Sequence, residues 1–278
     1  MSWTYSEDYY RQYTKDSWNE SAAGYDPIRR NLDAANPALL AAARAQKGQR
    51  VLDVATGPGE PALTLAKLVA PGQVVGVDLS ERMVELARAN AKSQGVANAA
   101  FEVQDAEALT LPDASFDLAA CRFGLQIVTD PDRALAQMHR VLKPGGRMVA
   151  TVWSVADKVP SLHVIMGPML EHAEPDENGY LPTPYEMGEP DALAAMARKA
   201  GFHAVREERH TVEQRFRSVD EFMAGCLQGT PLGHSLREED PPVQEAILRK
   251  THENLKRWTR ADGTVSMPAE FVLVSGTR

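Results

Sequence analysis

The 278-residue chain is long enough to bury one large core, or a core with a modest appended lobe. Hydrophobic residues make up 44% and charged residues 24%, the balance of an ordinary globular protein. A net charge of -8 lacks the clustered basic face that grips phosphates, so no nucleic-acid partner is expected.

No apolar run approaches the ~20 residues of a membrane span, so stable membrane insertion is not expected either. The opening MSWTYSEDYYRQYTKD is polar and acidic where a signal peptide would be basic and then apolar. Cys121 and Cys226 are the two cysteines, in unlike contexts, which argues against a disulfide framework or a cysteine zinc site. The expectation is a cytoplasmic, reduced protein, compatible with a homodimer.

Residues 6–46 read as mostly helical, broken at Gly24-Tyr25-Asp26-Pro27. Short apolar runs then alternate with helical patterns, the texture of β-α-β units. Val51–Val54 is the first strand, ending in a glycine turn before a helix from Leu63. Gln73–Val77 is the second, closed by Asp78, with Ser80 capping a helix that Gly95 ends. Ala100–Val103 and Phe116–Ala120 give strands three and four. Asp130-Pro131 reads as a cap and a proline at the first helical position, and Lys143-Pro144-Gly145-Gly146 as the stop. Met148–Trp153 is a fifth strand. A helix over 160–172, a proline-rich acidic loop through Pro184, a helix and a strand over 190–216, helical residues 219–258 and a last strand over 264–275 complete the chain. The fold class is α/β: a Rossmann-like, doubly wound, seven-stranded, mostly parallel sheet with helical lid insertions. One domain is expected, its core about 36–153 and 190–278 and its lid from 1–35, 154–190 and 219–258. A separate second domain is the alternative.

The turn DVATGPGEPA, residues 53–62, satisfies G-x-G-x-x-A, a spacing that brings a backbone close to a pyrophosphate. Its chemistry argues otherwise. Pro58 and Pro61 have no N–H to offer a phosphate, and Glu60 and Asp53 are carboxylates beside it. A cationic ligand without phosphates fits better. S-adenosylmethionine carries a sulfonium and an ammonium, and its ribose hydroxyls call for an acceptor such as Asp78, 19 residues beyond Gly59. An NAD(P)-dependent oxidoreductase and a non-catalytic nucleotide-binding protein of the same fold stay as alternatives.

Residues 51–66 resemble motif I of the class I S-adenosylmethionine-dependent methyltransferases. Val77-Asp78-Leu79-Ser80 resembles their acidic loop, and Gln104-Asp105-Ala106-Glu107 the segment that contacts adenine. FGLQIVTDPDRALAQMHRVLKPGGRMV, residues 123–149, is similar to the ubiquinone/menaquinone-biosynthesis C-methyltransferase group. The resemblance implies that Gly57 and Gly59, with Ala55 beside them, let the backbone approach the methionine moiety. It implies Asp53 near the ammonium through water, Asp78 on the ribose, and Leu79 and Met83 against the adenine. Asp105 would accept from the adenine amino group while Ala106 offers its N–H. Arg122 and Phe123 would border the sulfonium and the methyl path.

The expected acceptor is a small, partly apolar or aromatic molecule, methylated at carbon or oxygen. Leu162, Met166, Met169, Phe222, Met223 and Leu227 are pocket candidates, with core packing as the default reading. A base is required only for a protonated acceptor; Tyr25 and His163 are the first candidates and His234 the next. His163, His172, His234 and His252 lack metal-ligand spacing, so no metal is expected. Asp130 reads as a helix cap and His139 as structural.

Overall fold

A computed structural model describes residues 7–173 and 184–278. In chain order its elements are α1 (Glu7–Ser21), α2 (Asp26–Leu32), α3 (Asn36–Ala43), β1 (Arg50–Val54), α4 (Ala62–Val69), β2 (Gln73–Asp78), α5 (Glu81–Ser93) and β3 (Ala99–Val103). Then come β4 (Phe116–Arg122), α6 (Pro131–Val141), β5 (Leu142–Trp153), α7 (Pro160–Leu170), α8 (Ala192–Lys199) and β6 (His203–Phe216). The chain ends with α9 (Val219–Gly229), α10 (Pro231–Arg237), α11 (Pro241–Leu255) and β7 (Val265–Thr277). The acidic stretch expected between α7 and α8 falls largely in 174–183, outside the described residues, as does the start of the expected lid at 1–6.

The strands form one seven-stranded sheet in the order β3-β2-β1-β4-β5-β7-β6. Pairing is parallel from β3 through β5, and β7 runs antiparallel to β5. Val51, Leu52, Val54, Val74, Val77, Leu118 and Val149 are almost completely buried. Such near-continuous apolar runs are what parallel strands covered on both faces require. The strand order reverses between β1 and β4, the switch point beside which open α/β sheets bind ligands.

The caps expected from sequence form. The Ser80 hydroxyl accepts from Met83 N at 3.1 Å, and Asp130 accepts from Arg133 N at 2.9 Å with Pro131 in the first turn. One boundary differs. Lys143-Pro144-Gly145-Gly146 ends α6 but is also the start of β5. Gly145 N donates to Arg278 O and Arg278 N to Gly146 O, so the end of the chain recruits this run into the strand.

The chain divides into two compact units. One comprises Met1–Ala34, Ser154–Tyr185 and Thr211–Glu270; the other comprises Ala35–Trp153, Glu186–His210 and Phe271–Arg278. In the first, Val164, Ile165, Phe222, Met223, Cys226, Leu255 and Met267 form a buried cluster, with Met169 and Leu227 packed against it. Four of the six apolar pocket candidates therefore pack in that unit's own core. The second unit's core joins Leu52, Val54, Val77, Phe116 and Ala150 of the sheet to Leu135 and Met138 of α6 and Leu193 and Ala197 of α8.

Candidate functional site

The second unit builds its site where β1, β2, β3 and β4 end. Asp53, near the end of β1, is fully buried. Its Oδ2 accepts from Thr56 Oγ1 at 2.6 Å and from Ala62 N at 3.2 Å, while its Oδ1 is buried with no partner. Burial pushes its pKa up to about 7, although the Thr56 hydroxyl, the charge of Arg122 and the Ala62 N–H pull downward. Ala55 at φ 54°, Gly57 at 53° and Gly59 at 110° fold the turn back on itself. At Gly59 the φ alone calls for glycine, and a Cβ would stand 3.1 Å from Leu63 Cδ1, a tight contact that the Leu63 side chain would have to relieve.

Five amides in and just after this turn are already committed. Thr56 N donates to Val77 O, Gly57 N to Asp78 Oδ2, Gly59 N to Thr56 O, Ala62 N to Asp53 and Leu63 N to Gly59 O. Pro58 and Pro61 contribute none. The turn is thus poor in free donors and rich in carboxylate, the opposite of a pyrophosphate cradle. Asn90 of α5 holds it from the side, its Nδ2 donating to Pro58 O at 2.8 Å.

Asp78, at the end of β2, accepts from Gly57 N at 2.8 Å and from Ser80 N at 2.9 Å, while burial pushes its pKa up to about 6. Leu79 beside it is half-buried, and Met83 is buried on α5. Past β3, Asp105 Oδ1 accepts from Glu107 N at 2.8 Å, which turns the chain and buries Ala106. Glu107, itself buried, accepts from Thr129 N and Asp130 N and ties this loop to the start of α6. Arg122 ends β4; its side chain is buried and donates from Nη1 to Asn36 Oδ1 of α3 at 2.9 Å. Phe123 follows at φ 59°, its ring stacked on Trp153 at 4.2 Å and edge-on to Phe271 at 5.9 Å.

A methyltransferase-domain family model matches residues 45–201. The chain is 37% identical over 173 residues to a ubiquinone/menaquinone biosynthesis C-methyltransferase of Escherichia coli, covering 58% of this chain and 68% of that protein. This chain is a class I S-adenosylmethionine-dependent methyltransferase. Among solved structures, the YcgJ protein of Bacillus subtilis superposes with a TM-score of 0.61 at 22% identity, covering 90% of the methyltransferase and 98% of that chain. A phosphoethanolamine N-methyltransferase of Haemonchus contortus in complex with S-adenosyl-L-methionine gives 0.54 at 22% identity, over 87% of the methyltransferase and 52% of that chain. Both carry the same fold.

S-adenosylmethionine is the cofactor of the methyltransferase. The residues present fit it: an unpartnered buried carboxylate oxygen at Asp53, a second carboxylate at Asp78, and a turn whose amides are not offered to phosphate. The strand ends bring together Asp53, Ala55, Gly57, Gly59, Asp78, Leu79, Asp105, Ala106, Arg122 and Phe123 on one edge of one unit. Three residues of this constellation escape a motif reading: Thr56, Asn36 and Trp153. Thr56 had a local signal, a hydroxyl three residues after Asp53 in a turn. Asn36 and Trp153 enter only through contacts far along the chain.

The two base candidates belong to the first unit. Tyr25, just before α2, is half-buried and edge-on to Trp18 at 5.8 Å. His163, on α7, is exposed, its ring 6.3 Å from that of Tyr185. His234, on α10, lies 3.0 Å from Glu20 Oε2 in a surface ion-pair network with Arg237. Among the described residues no group of three or more His, Cys, Asp and Glu could hold a metal ion.

Proposed function

We propose that the methyltransferase alkylates a small, partly apolar or aromatic molecule at carbon or oxygen. The observation that carries this is the 37% identity to a C-methyltransferase of ubiquinone/menaquinone biosynthesis over 68% of that protein. Quinone-methylating members read Phe-Gly-Leu-Arg-Asn where this chain reads Phe123-Gly124-Leu125-Gln126-Ile127. Here the Gln126 side-chain oxygen accepts from Trp153 N at 2.7 Å, a local tie that fastens the end of β5. The proposal therefore names the class of acceptor and not the quinone.

Bound S-adenosylmethionine supplies a methyl group on sulfonium, already activated for in-line displacement. The chain's share is to hold the acceptor close and aligned and to exclude water. A phenol or an acidic carbon must also lose a proton as the new bond forms, and Tyr25 and His163 are the residues proposed to take it. The lid role assigned from sequence to 1–35, 154–190 and 219–258 stays part of this proposal, and its test is functional. Met166→Ala should raise the acceptor KM and leave cofactor affinity unchanged. Met223 is unsuited to that test because it belongs to the first unit's core.

The decisive assay supplies methyl-labelled S-adenosylmethionine and a fractionated extract to the purified protein. Label in a small-molecule fraction is expected. Label confined to tRNA or protein overturns the acceptor class. With the acceptor in hand, Tyr25→Phe or His163→Gln should lower kcat by about 100-fold if that side chain is the base; unchanged kcat in both removes the pair.

A further inference from the structure

The chain has 38 Asp and Glu residues against 30 Lys and Arg, so carboxylates outnumber cations and an unpaired arginine stands out. In the second unit Arg140 pairs with Asp113, Arg198 with Asp191 and Arg209 with Glu207. Three arginines of the same unit differ. Among the described residues Arg44, Arg147 and Arg206 make no side-chain hydrogen bond or ion pair.

The fold gathers these three. Arg147 of β5 pairs with Thr277 of β7, and β6, which carries Arg206, is the next strand. Met148, Ala150 and Val152 pack with α6 and α8, so Arg147 projects to the opposite face, where α3 lies against β5. Arg44 caps α3 in the left-handed conformation at φ 50°. Val205 packs on the α6 and α8 side, which turns Arg206 to the face of Arg147. Two strand spacings of about 4.8 Å each separate β5 from β6, within reach of two arginine side chains. Arg147 is half-buried, while Arg44 and Arg206 are exposed. Burial, and then the charges of Arg44 and Arg206, hold the Arg147 pKa below the ordinary arginine value.

Three cations set side by side repel, and an anion seated among them removes that repulsion. Each guanidinium fork matches two oxygens of a phosphate, and three forks ask for more negative charge than one carboxylate carries. A diphosphate group supplies that charge, on oxygens spread over two phosphorus centres. A nucleic acid would need a basic face that follows its backbone, which a chain of net charge -8 with one local trio does not offer. About 13 Å of strand separates Arg147 from Thr151, the partner of Arg122 at the cofactor end, so the trio lies outside the methyl-transfer site.

We propose that Arg44, Arg147 and Arg206 bind the diphosphate group of a small ligand, toward the end of the sheet away from the cofactor. The site does not depend on the acceptor class. Its ligand is either the free anion or a nucleoside diphosphate, and the two are separated by experiment.

The test is calorimetric titration of the full chain, saturated with S-adenosylhomocysteine, with inorganic pyrophosphate and with ADP at physiological ionic strength. Saturable, one-to-one binding of pyrophosphate is expected. Arg147→Gln, and the pair Arg44→Gln with Arg206→Gln, should each weaken it about tenfold or more, with S-adenosylhomocysteine affinity unchanged. The pair replaces exposed side chains and reports on the site even if Arg147→Gln fails to fold. Arg198→Gln removes the same charge elsewhere on the unit and should change pyrophosphate binding by less than about twofold, since distant charges are screened. ADP bound more tightly than pyrophosphate supports the site with a nucleotide as its ligand; ADP bound no more tightly supports it with the free anion. No saturable binding of either ligand, or an equal loss in Arg198→Gln, overturns the proposal.

Discussion

At the scale of single residues the consequential group is Asp53, a carboxylate taken out of water beneath the glycine turn. Burial raises its pKa to about 7, and burial raises that of Asp78 to about 6. Ordinary aspartate titrates near 4. A folded-state pKa above the unfolded one makes the folded state the better proton binder. The contribution of each proton to stability is thus complete at low pH and is lost as pH rises from about 4 through 6 and 7. A cationic ligand reverses the preference, because it favours the carboxylate. Binding S-adenosylmethionine should therefore release protons below pH 7, and affinity should rise from pH 5.5 to 8. Calorimetry across that window checks this. Asp53→Asn should remove the upper part of the slope and leave the Asp78 portion near pH 6. A wild-type affinity that does not change with pH would contradict the assignment of these two carboxylates to the cofactor.

At the scale of elements, the corner after β4 locks the turn after β1. A Cβ on Gly124 would stand 2.5 Å from Ala55 Cβ and 2.8 Å from Cys121 Sγ, distances that force a shift. Ala55 is the left-handed residue that opens the glycine turn, so the shift would fall on the proposed cofactor site. Overpacking of this kind costs about 1–3 kcal/mol. Gly124→Ala should lower the melting temperature by roughly 2–10 °C and weaken S-adenosylhomocysteine more than it weakens the fold. A variant with wild-type affinity would show that the two turns are not coupled.

The strands and caps were legible because their signals are local: apolar runs, Ser80 and Asp130 before helices, glycine after them. The membership of Lys143-Pro144-Gly145-Gly146 in β5 was not, since it depends on pairing with Arg278 at the far end of the chain. The same distinction divides the site. Asp53, Gly57, Gly59 and Asp78 stand at strand ends where a motif marks them. Asn36, which aims Arg122, is brought in across 86 residues of sequence and leaves no periodic trace. Apolar residues carried two readings, with core packing as the default. Phe222 and Met223 have the bulk of pocket walls, and the default holds for this pair: in the first unit they fill a core.

At the scale of the whole molecule, the net charge of -8 and the acidic surround of the glycine turn favour cationic small ligands over polyanions. No described helix is long and apolar enough to cross a membrane. The second unit contains every motif residue proposed for the cofactor, and the first contains the proposed bases and most of the proposed acceptor segments. This separation makes the cofactor assignment testable without knowledge of the acceptor. The most direct measurement is calorimetric titration of the wild-type chain and Asp78→Ala with S-adenosylhomocysteine, with NAD as the control. The account predicts saturable, one-to-one binding of S-adenosylhomocysteine, a loss of about tenfold or more in Asp78→Ala, and no heat from NAD. Saturable NAD binding with none for S-adenosylhomocysteine, or equal affinities in the two proteins, would contradict it.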